Sequence, residues 1–343
     1  MIRFSLFSVL DSYEEGSRTL AALYEQLLDQ IMYAEQLGFD AYWIGEHHGY
    51  LAPHHALACP NPAILLTAAA QRTQRIGLNT AVTNLVLRHP LLIAEDYALV
   101  DMLSQGRLGL GIGRGSFDHE YAAFGLAREE SRGRFEESWE IIQQAWRGET
   151  ITFHGRYYSV EGAKINVLPL QKPLPRYWFS ALRKESFALR GRTAQPIMSF
   201  PHLTTDSLQA LAELVKEYRQ HYLAAGGNDD LYELPLIFYT FVAPTRAEAQ
   251  KVGEAALQRY LAHQHRDASA QAPHIVQRLK ERDQLWFGTP DDLIRIIKHY
   301  QLCVDNRHFI FWLDFGGMKP EFVRRSMQML AQEVIPHFKT TNG

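Results

Sequence analysis

Cysteine is almost missing from this chain: Cys59 and Cys303 are the only two in 343 residues, and neither belongs to a CxxC pair. That excludes a disulfide-stapled scaffold and thiolate metal ribbons, and predicts two reduced core thiols in a cytoplasmic protein. Charge of one sign is missing too. With 35 Lys and Arg against 38 Asp and Glu, the net charge is -3, so the whole chain carries no basic footprint for nucleic acid. No stretch approaches the ~18 apolar residues that a membrane helix needs. The opening MIRFSLFSVLDSYEEG has too short an apolar run, and the wrong flank, for a secretory signal. No Gly-, Ser- or Pro-rich linker divides the chain, and no glycines stand at the offsets of a dinucleotide fingerprint.

What is present is an ordinary globular composition, 46% hydrophobic and 21% charged. Its length suits one large α/β barrel or two ordinary domains. Period-two apolar runs predict strands over 2–9, 40–44, 75–82, 107–112, 177–180, 196–200, 234–242 and 307–313. Helical spacing follows each of them, as in Leu20, Leu23, Leu27, Ile31, Ala34 and Leu37, which end at Gly38. Strict alternation implies a parallel sheet, and eight units closing on themselves are the (β/α)8 TIM barrel. The expectation is one domain over 1–343. It carries a hairpin insertion near 150–160 and a His/Gln-rich candidate mobile loop at 264–284.

The predicted fourth strand runs into Gly109-Leu110-Gly111-Ile112-Gly113-Arg114-Gly115. Side chains alternate along a strand, so one face here is bare backbone with an arginine at its end. Two readings stay open: a wall for a flat anionic ligand, or a strand with glycines for close helix packing.

In such barrels the site is built at the carboxyl ends of the strands. Glu46-His47-His48 ends the second strand, Thr80-Ala81-Val82 the third, and Gly113-Arg114-Gly115 the fourth; Ser180-Ala181-Leu182-Arg183 ends the fifth, before Glu185-Ser186. His47 and His48 point to opposite sides of an extended strand, so a shared metal is not expected. A histidine there suits proton transfer near neutral pH, against the alternative of a buried structural ring. Arg114 and Arg183, the Ser186 hydroxyl and a helix start suit a phosphate monoester. The alternative pairs either arginine with an acid such as Glu120 or Glu185. The mixed-sign run from Arg128 to Arg134 reads as a solvated helix start, and His54-His55 as a surface pair.

The segments Trp43-Ile-Gly-Glu-His-His48, His89-Pro-Leu-Leu-Ile-Ala-Glu-Asp96 and Ser104-Gln-Gly-Arg-Leu-Gly-Leu-Gly-Ile-Gly-Arg-Gly115 resemble the bacterial luciferase-like flavin monooxygenases. Phe124-Gly125, Glu185-Ser186 and Phe287-Gly-Thr-Pro-Asp-Asp292 extend the resemblance over nearly the whole chain. It implies a luciferase-like (β/α)8 barrel and a two-component enzyme. Reduced FMN (FMNH2) would come from a separate flavin reductase and react with O2, oxygenating an aldehyde or another small organic substrate. It also implies His47 as the catalytic residue, Arg114 beside Gly113 on the flavin phosphate, and a non-prolyl cis peptide at Ala81-Val82 beneath the flavin ring. Glu120 is counted with the cofactor contacts, and Leu182, Arg183 and Ser186 form the phosphate loop. Gly113 replaces the cysteine of light-emitting members, and Leu182 and Arg183 replace their Glu and Ser, so an altered phosphate grip without bioluminescence is expected. The segment at 264–284 stands where the family keeps a mobile lid, and a homodimer is implied. Two alternatives stay open: an oxidoreductase of the same superfamily that uses the deazaflavin F420, and a non-catalytic flavin-binding partner subunit.

Overall fold

The structure is a computed structural model in which residues 2–13, 19–52, 55–229, 232–263 and 268–339 are described. Strands that are apolar on both faces need cover on both, which a parallel sheet flanked by helices supplies. Nine strands fit that rule: β1 (Arg3–Ser8), β2 (Ala41–Ile44), β3 (Gly77–Asn84), β4 (Leu108–Gly113), β5 (Arg176–Ser180), β6 (Ile197–Met198), β7 (Pro235–Val242), β8 (Leu285–Gly288) and β9 (His308–Asp314). They form one sheet in the order β6-β5-β4-β3-β2-β1-β9-β7-β8, and every pairing is parallel.

The covering helices include α1 (Leu20–Gln36), α2 (Pro62–Ala70), α3 (Pro90–Leu103), α4 (Ser131–Trp146), α5 (Lys184–Arg192), α6 (Leu208–Ala224), α7 (Arg246–Ala262), α8 (Ala268–Glu281), α9 (Pro290–Val304) and α10 (Pro320–Met329). Among the described residues no helix is long and apolar enough to cross a membrane. Several motif residues serve these helices. His89 Nδ1 accepts the Leu91 N–H at the start of α3, and Thr289 and Asp292 form a capping box on α9.

The sheet is strongly curled. Trp43 of β2 and Trp178 of β5 have ring centroids 5.0 Å apart, although β3 and β4 lie between their strands. Side chains that far apart in strand order can meet only across a concave face. Trp43 also reaches His308 of β9 at 5.7 Å, and Phe7 of β1 reaches Phe200 beyond β6 at 5.7 Å. An isolated parallel bridge sets Ser199, just past β6, opposite Leu236 of β7. It is held by Ser199 N–H to Pro235 O and Ile237 N–H to Ser199 O, both 3.0 Å. The architecture is thus an α/β fold built on a curled parallel sheet.

The glycines of β4 turn out to serve this crowded interior. A Cβ on Gly109 would overlap the Asn79 amide and lie 3.0 Å from the Trp178 ring. On Gly111 it would overlap the Thr80 carbonyl oxygen and lie 2.5 Å from Met198 Sδ. The bare positions are therefore neither an open wall nor helix seats; neighbouring strands fill them. Gly111→Ala forces an atom against backbone that cannot swing aside, so a loss of about 3 kcal/mol is expected, the upper range for overpacking. A urea midpoint equal to that of the parent chain would contradict it.

The amino ends of the strands are closed by charge. Glu233 accepts from Arg3 at 2.9 Å and Arg176 at 2.5 Å, and lies 3.6 Å from His308 Nδ1. Burial works to raise this carboxyl, but His308 and the two guanidinium groups hold it far below the usual carboxylate range.

Several expectations are corrected. The segment expected to be irregular over 264–284 contains α8, whose Ala272, Val276 and Leu279 are buried at helical spacing; residues 264–267 lie outside the described residues. Pro273 and the polar composition masked that helix. Strand β8 follows it and was not expected. Cys59 is buried, but Cys303 is an exposed thiol rather than a core one. Short strands Asp11–Tyr13, Tyr50–Ala52 and His55–Leu57 form a small antiparallel sheet. His54 and the His55 side chain lie outside what is described. The hairpin pairs Ile151–His154 with Ser159–Ala163.

Candidate active site

At the carboxyl end of β2 the chain continues into Gly45-Glu46-His47-His48, whose backbone and side chains are held by specific hydrogen bonds. The His47 N–H donates to Cys59 O at 3.0 Å. The His48 N–H donates to Glu120 Oε1 at 2.9 Å, and His47 Nδ1 donates to that same oxygen at 3.2 Å. Glu120 sits on the short helix Asp118–Ala123 and is 1% exposed. Burial pushes its carboxyl up, but the bonds and charges of His47 and His48 outweigh this and hold it below the usual range. A donating Nδ1 leaves His47 Nε2 as the nitrogen free to exchange a proton. Phe117 packs on the ring at 5.2 Å.

His48 is occupied differently. Its Nε2 donates to Glu46 Oε1 at 3.3 Å, while Glu46 Oε2 accepts the Asn84 N–H at 3.1 Å. Burial raises the Glu46 carboxyl. The two histidines thus engage separate carboxylates, as opposite-facing neighbours must. Among the described residues no three His, Cys, Asp or Glu side chains gather as metal ligands.

The sequence counted Glu120 with the cofactor contacts or as a partner of Arg114. In the structure its carboxylate accepts from His47 and from the His48 N–H and meets no arginine, a contact across 73 positions that no local pattern signals.

On β3 the Ala81–Val82 peptide is cis. The ladder with β4 shifts register between Thr80 and Thr83, so these two residues bulge from the strand. Gly113 lies against them, with the site of a Cβ 2.6 Å from Val82 Cγ2. Ala81, Val82 and Gly113 are therefore brought together at the mouth.

Beyond Gly113, Arg114 is exposed. Its side-chain bond is a long one to Ser131 Oγ, 3.4 Å. Its guanidinium is held below its ordinary value by partial burial, and by the repulsion of Arg132, Arg128 and Arg183. Arg190 of α5 adds to the same field: burial, and then Arg132 and Arg114, bring it down to about 10. Among the described residues, neither Arg114 nor Arg183 has a carboxylate partner. Arg128 and Arg132, read from sequence as solvated, thus share the field of the predicted cations. Arg183 is the N-cap of α5 without a side-chain cap. Leu182 and Ser186 beside it are half-buried. Cations gathered near a helix start have the chemistry that suits an anion.

A carboxylate-held histidine, a bulged strand end and a cation cluster thus stand at the carboxyl ends of the strands, the end at which enzymes built on parallel sheets place their sites. Comparison with known proteins is more specific. The family model described as luciferase-like monooxygenase matches residues 5–302. The chain is 27% identical over 324 residues to limonene 1,2-monooxygenase of Rhodococcus erythropolis, covering 93% of this chain and 82% of that one. It is 25% identical over 360 residues to the oxygenase component of flavin-dependent trigonelline monooxygenase of Acinetobacter baylyi, covering 98% and 96%. The crystal structure of monooxygenase RslO1 from Streptomyces bottropensis superposes with a TM-score of 0.86 at 25% identity, covering 98% and 100%. Shorter matches span about half of each partner. The protein y4wF of Sinorhizobium fredii is 35% identical over 180 residues, 52% of each chain. An F420-dependent glucose-6-phosphate dehydrogenase of Microbacterium testaceum is 35% identical over 193 residues, 53% of this chain and 56% of that one. The chain belongs to the luciferase-like monooxygenase family, and it is an oxidoreductase of that family.

Proposed function

We propose that this protein is the oxygenase component of a two-component system. It would take reduced FMN from a separate reductase and use O2 to oxygenate an aldehyde or another small organic molecule. The observation that carries the reading is that Arg114 and Arg183 stand at neighbouring strand ends without a carboxylate partner among the described residues, with Arg128 and Arg132, paired to Asp118 and Glu136 at 3.5 and 4.0 Å, adding to the positive field an FMN phosphate would meet. The donor set fits the group: guanidinium groups, the Ser186 hydroxyl and the first N–H groups of α5 would hold the phosphate. Ala81, Val82 and Gly113 would lie beneath the ring. Bound reduced flavin would supply the electrons for O2 activation. His47, fixed through Nδ1 by Glu120, would hold or return a proton at Nε2.

The Ser199–Leu236 bridge supports a closed eight-stranded barrel, with β8 as an extra edge strand beyond β7. The test of function is calorimetric titration with FMN, reduced FMN and F420, alongside oxygen uptake. Tighter binding of reduced FMN with O2 consumption supports the oxygenase. Tighter binding of F420 without oxygen use would replace it with the deazaflavin reading, and no uptake of either would remove both.

The homodimer has a candidate face. Ile64 on α2 and Leu92, Leu99, Met102 and Leu103 on α3 are exposed together, at 67%, 52%, 45%, 42% and 47%, on helices that pack side by side. Apolar area of this kind is what a second copy would cover. Leu99→Glu is expected to convert a dimer to monomer in light scattering, with the secondary structure kept; a parent chain that is already monomeric would refute the dimer.

A further inference from the structure

The short helix Pro201–Thr204, directly after the Ser199 bridge, carries a histidine that the reaction described above does not use. His202 lies tilted against Tyr239 with ring centroids 4.5 Å apart and meets Phe200 edge-on at 5.9 Å. Tyr239 stacks on Trp312 at 4.6 Å, and Trp312 meets Phe7 at 5.0 Å. These rings come from β1, β7, β9 and the segment beyond β6, so they make an aromatic floor to the mouth. Tyr239, Trp312 and Phe7 are almost wholly buried, whereas Phe200 and His202 keep accessible surface.

His202 is unusual in that setting. Burial lowers its imidazole below the ordinary value, with no charged group contributing, which favours the neutral ring. Its nitrogens have no hydrogen-bond partner among the described residues, and the residue is half-buried. Two acids adjoin this floor: Asp11 is engaged by the Tyr13 hydroxyl at 2.9 Å and the Gly316 N–H at 2.6 Å, and Asp314 by the Gln30 amide at 3.2 Å. An imidazole whose neutral form burial favours, set against apolar rings, discriminates by shape and by one hydrogen bond. An anionic ligand would lose its hydration there without a counter-charge.

We propose that the mouth takes an uncharged, flat aromatic or alicyclic substrate, laid on the floor of Phe200, Tyr239 and Trp312, with one hydroxyl or carbonyl oxygen hydrogen-bonded to His202. This rests on the reading of this end as the reaction site. Equilibrium dialysis of the full chain tests it with three probes of one ring system: 2-naphthol, naphthalene and 2-naphthalenesulfonate. 2-Naphthol is expected to bind about tenfold more tightly than naphthalene, the difference one buried hydrogen bond makes, and the sulfonate to bind more weakly than either. His202→Phe should keep naphthalene binding and abolish the preference for 2-naphthol, and His202→Gln should restore it. Sulfonate binding equal to that of 2-naphthol, or a preference that survives His202→Phe, overturns the proposal. FMN is titrated into the same samples. Lost FMN binding with intact probe selectivity would count against the flavin reading alone, while intact FMN binding without selectivity would count against His202 alone.

Discussion

Arg114→Ala is expected to weaken FMN binding by roughly 10- to 100-fold, while riboflavin binding, which lacks the phosphate, stays within about twofold. A charge-assisted hydrogen bond to an anion contributes about 1.5–3 kcal/mol, and each 1.4 kcal/mol is tenfold in affinity. Arg114 lies at the exposed end of β4 and is repelled by Arg128, Arg132 and Arg183. Its removal should therefore leave the fold intact, and even relieve repulsion in the unliganded protein. Fluorescence titration with both flavins checks this. Equal losses for FMN and riboflavin would place Arg114 at the ring instead of the phosphate. No loss for either would empty the cation cluster of its proposed role.

His47→Gln should lower the oxygenation rate by about 10²- to 10⁴-fold, the range for loss of a positioned acid–base group, with FMN affinity unchanged. Glu120→Gln should cost less and act on the same step. An amide can still accept from the His48 N–H, but it carries no charge and can turn its NH2 group to His47 Nδ1, so it holds the ring less firmly. Combining the two changes should do little more than His47→Gln alone, because Glu120 acts through that ring. Rates measured across pH for all three variants test this, and full additivity would separate Glu120 from His47. The carboxylate also has a sign for stability. Its folded pKa lies below the ordinary value, so its contribution is present above the unfolded pKa and is lost as pH falls through the lowered one.

Much of the scaffold was legible in one dimension. Leu20 to Leu37 repeat at helical spacing and form α1; the runs at 40–44 and 107–112 became β2 and β4. Pro62, Pro90 and Pro290 each open a helix. These signals are local, being periodicity and terminal chemistry. The helix α8 was hidden because Pro273 and polar residues diluted its apolar stripe, although Ala272, Val276 and Leu279 still bury one face. The site was half legible. His47, Ala81–Val82, Arg114 and Arg183 stand at strand ends, and strand ends converge by topology. The partner of His47 stood on a short helix that no strand rule reaches, and His202 carried no motif.

By itself the sequence determined the alternation of strand and helix, and with it which segments end at a common mouth, because both follow from the backbone's own periods. Only the tertiary structure decided what those segments do to one another. Sheet curvature chose Asn79, Thr80 and Met198 to fill the spaces beside Gly109 and Gly111. Packing of the Asp118–Ala123 helix gave Glu120 to two histidines rather than to an arginine. Contacts between distant positions depend on how the sheet bends and where the helices settle on it, and residue spacing along a chain holds no record of either.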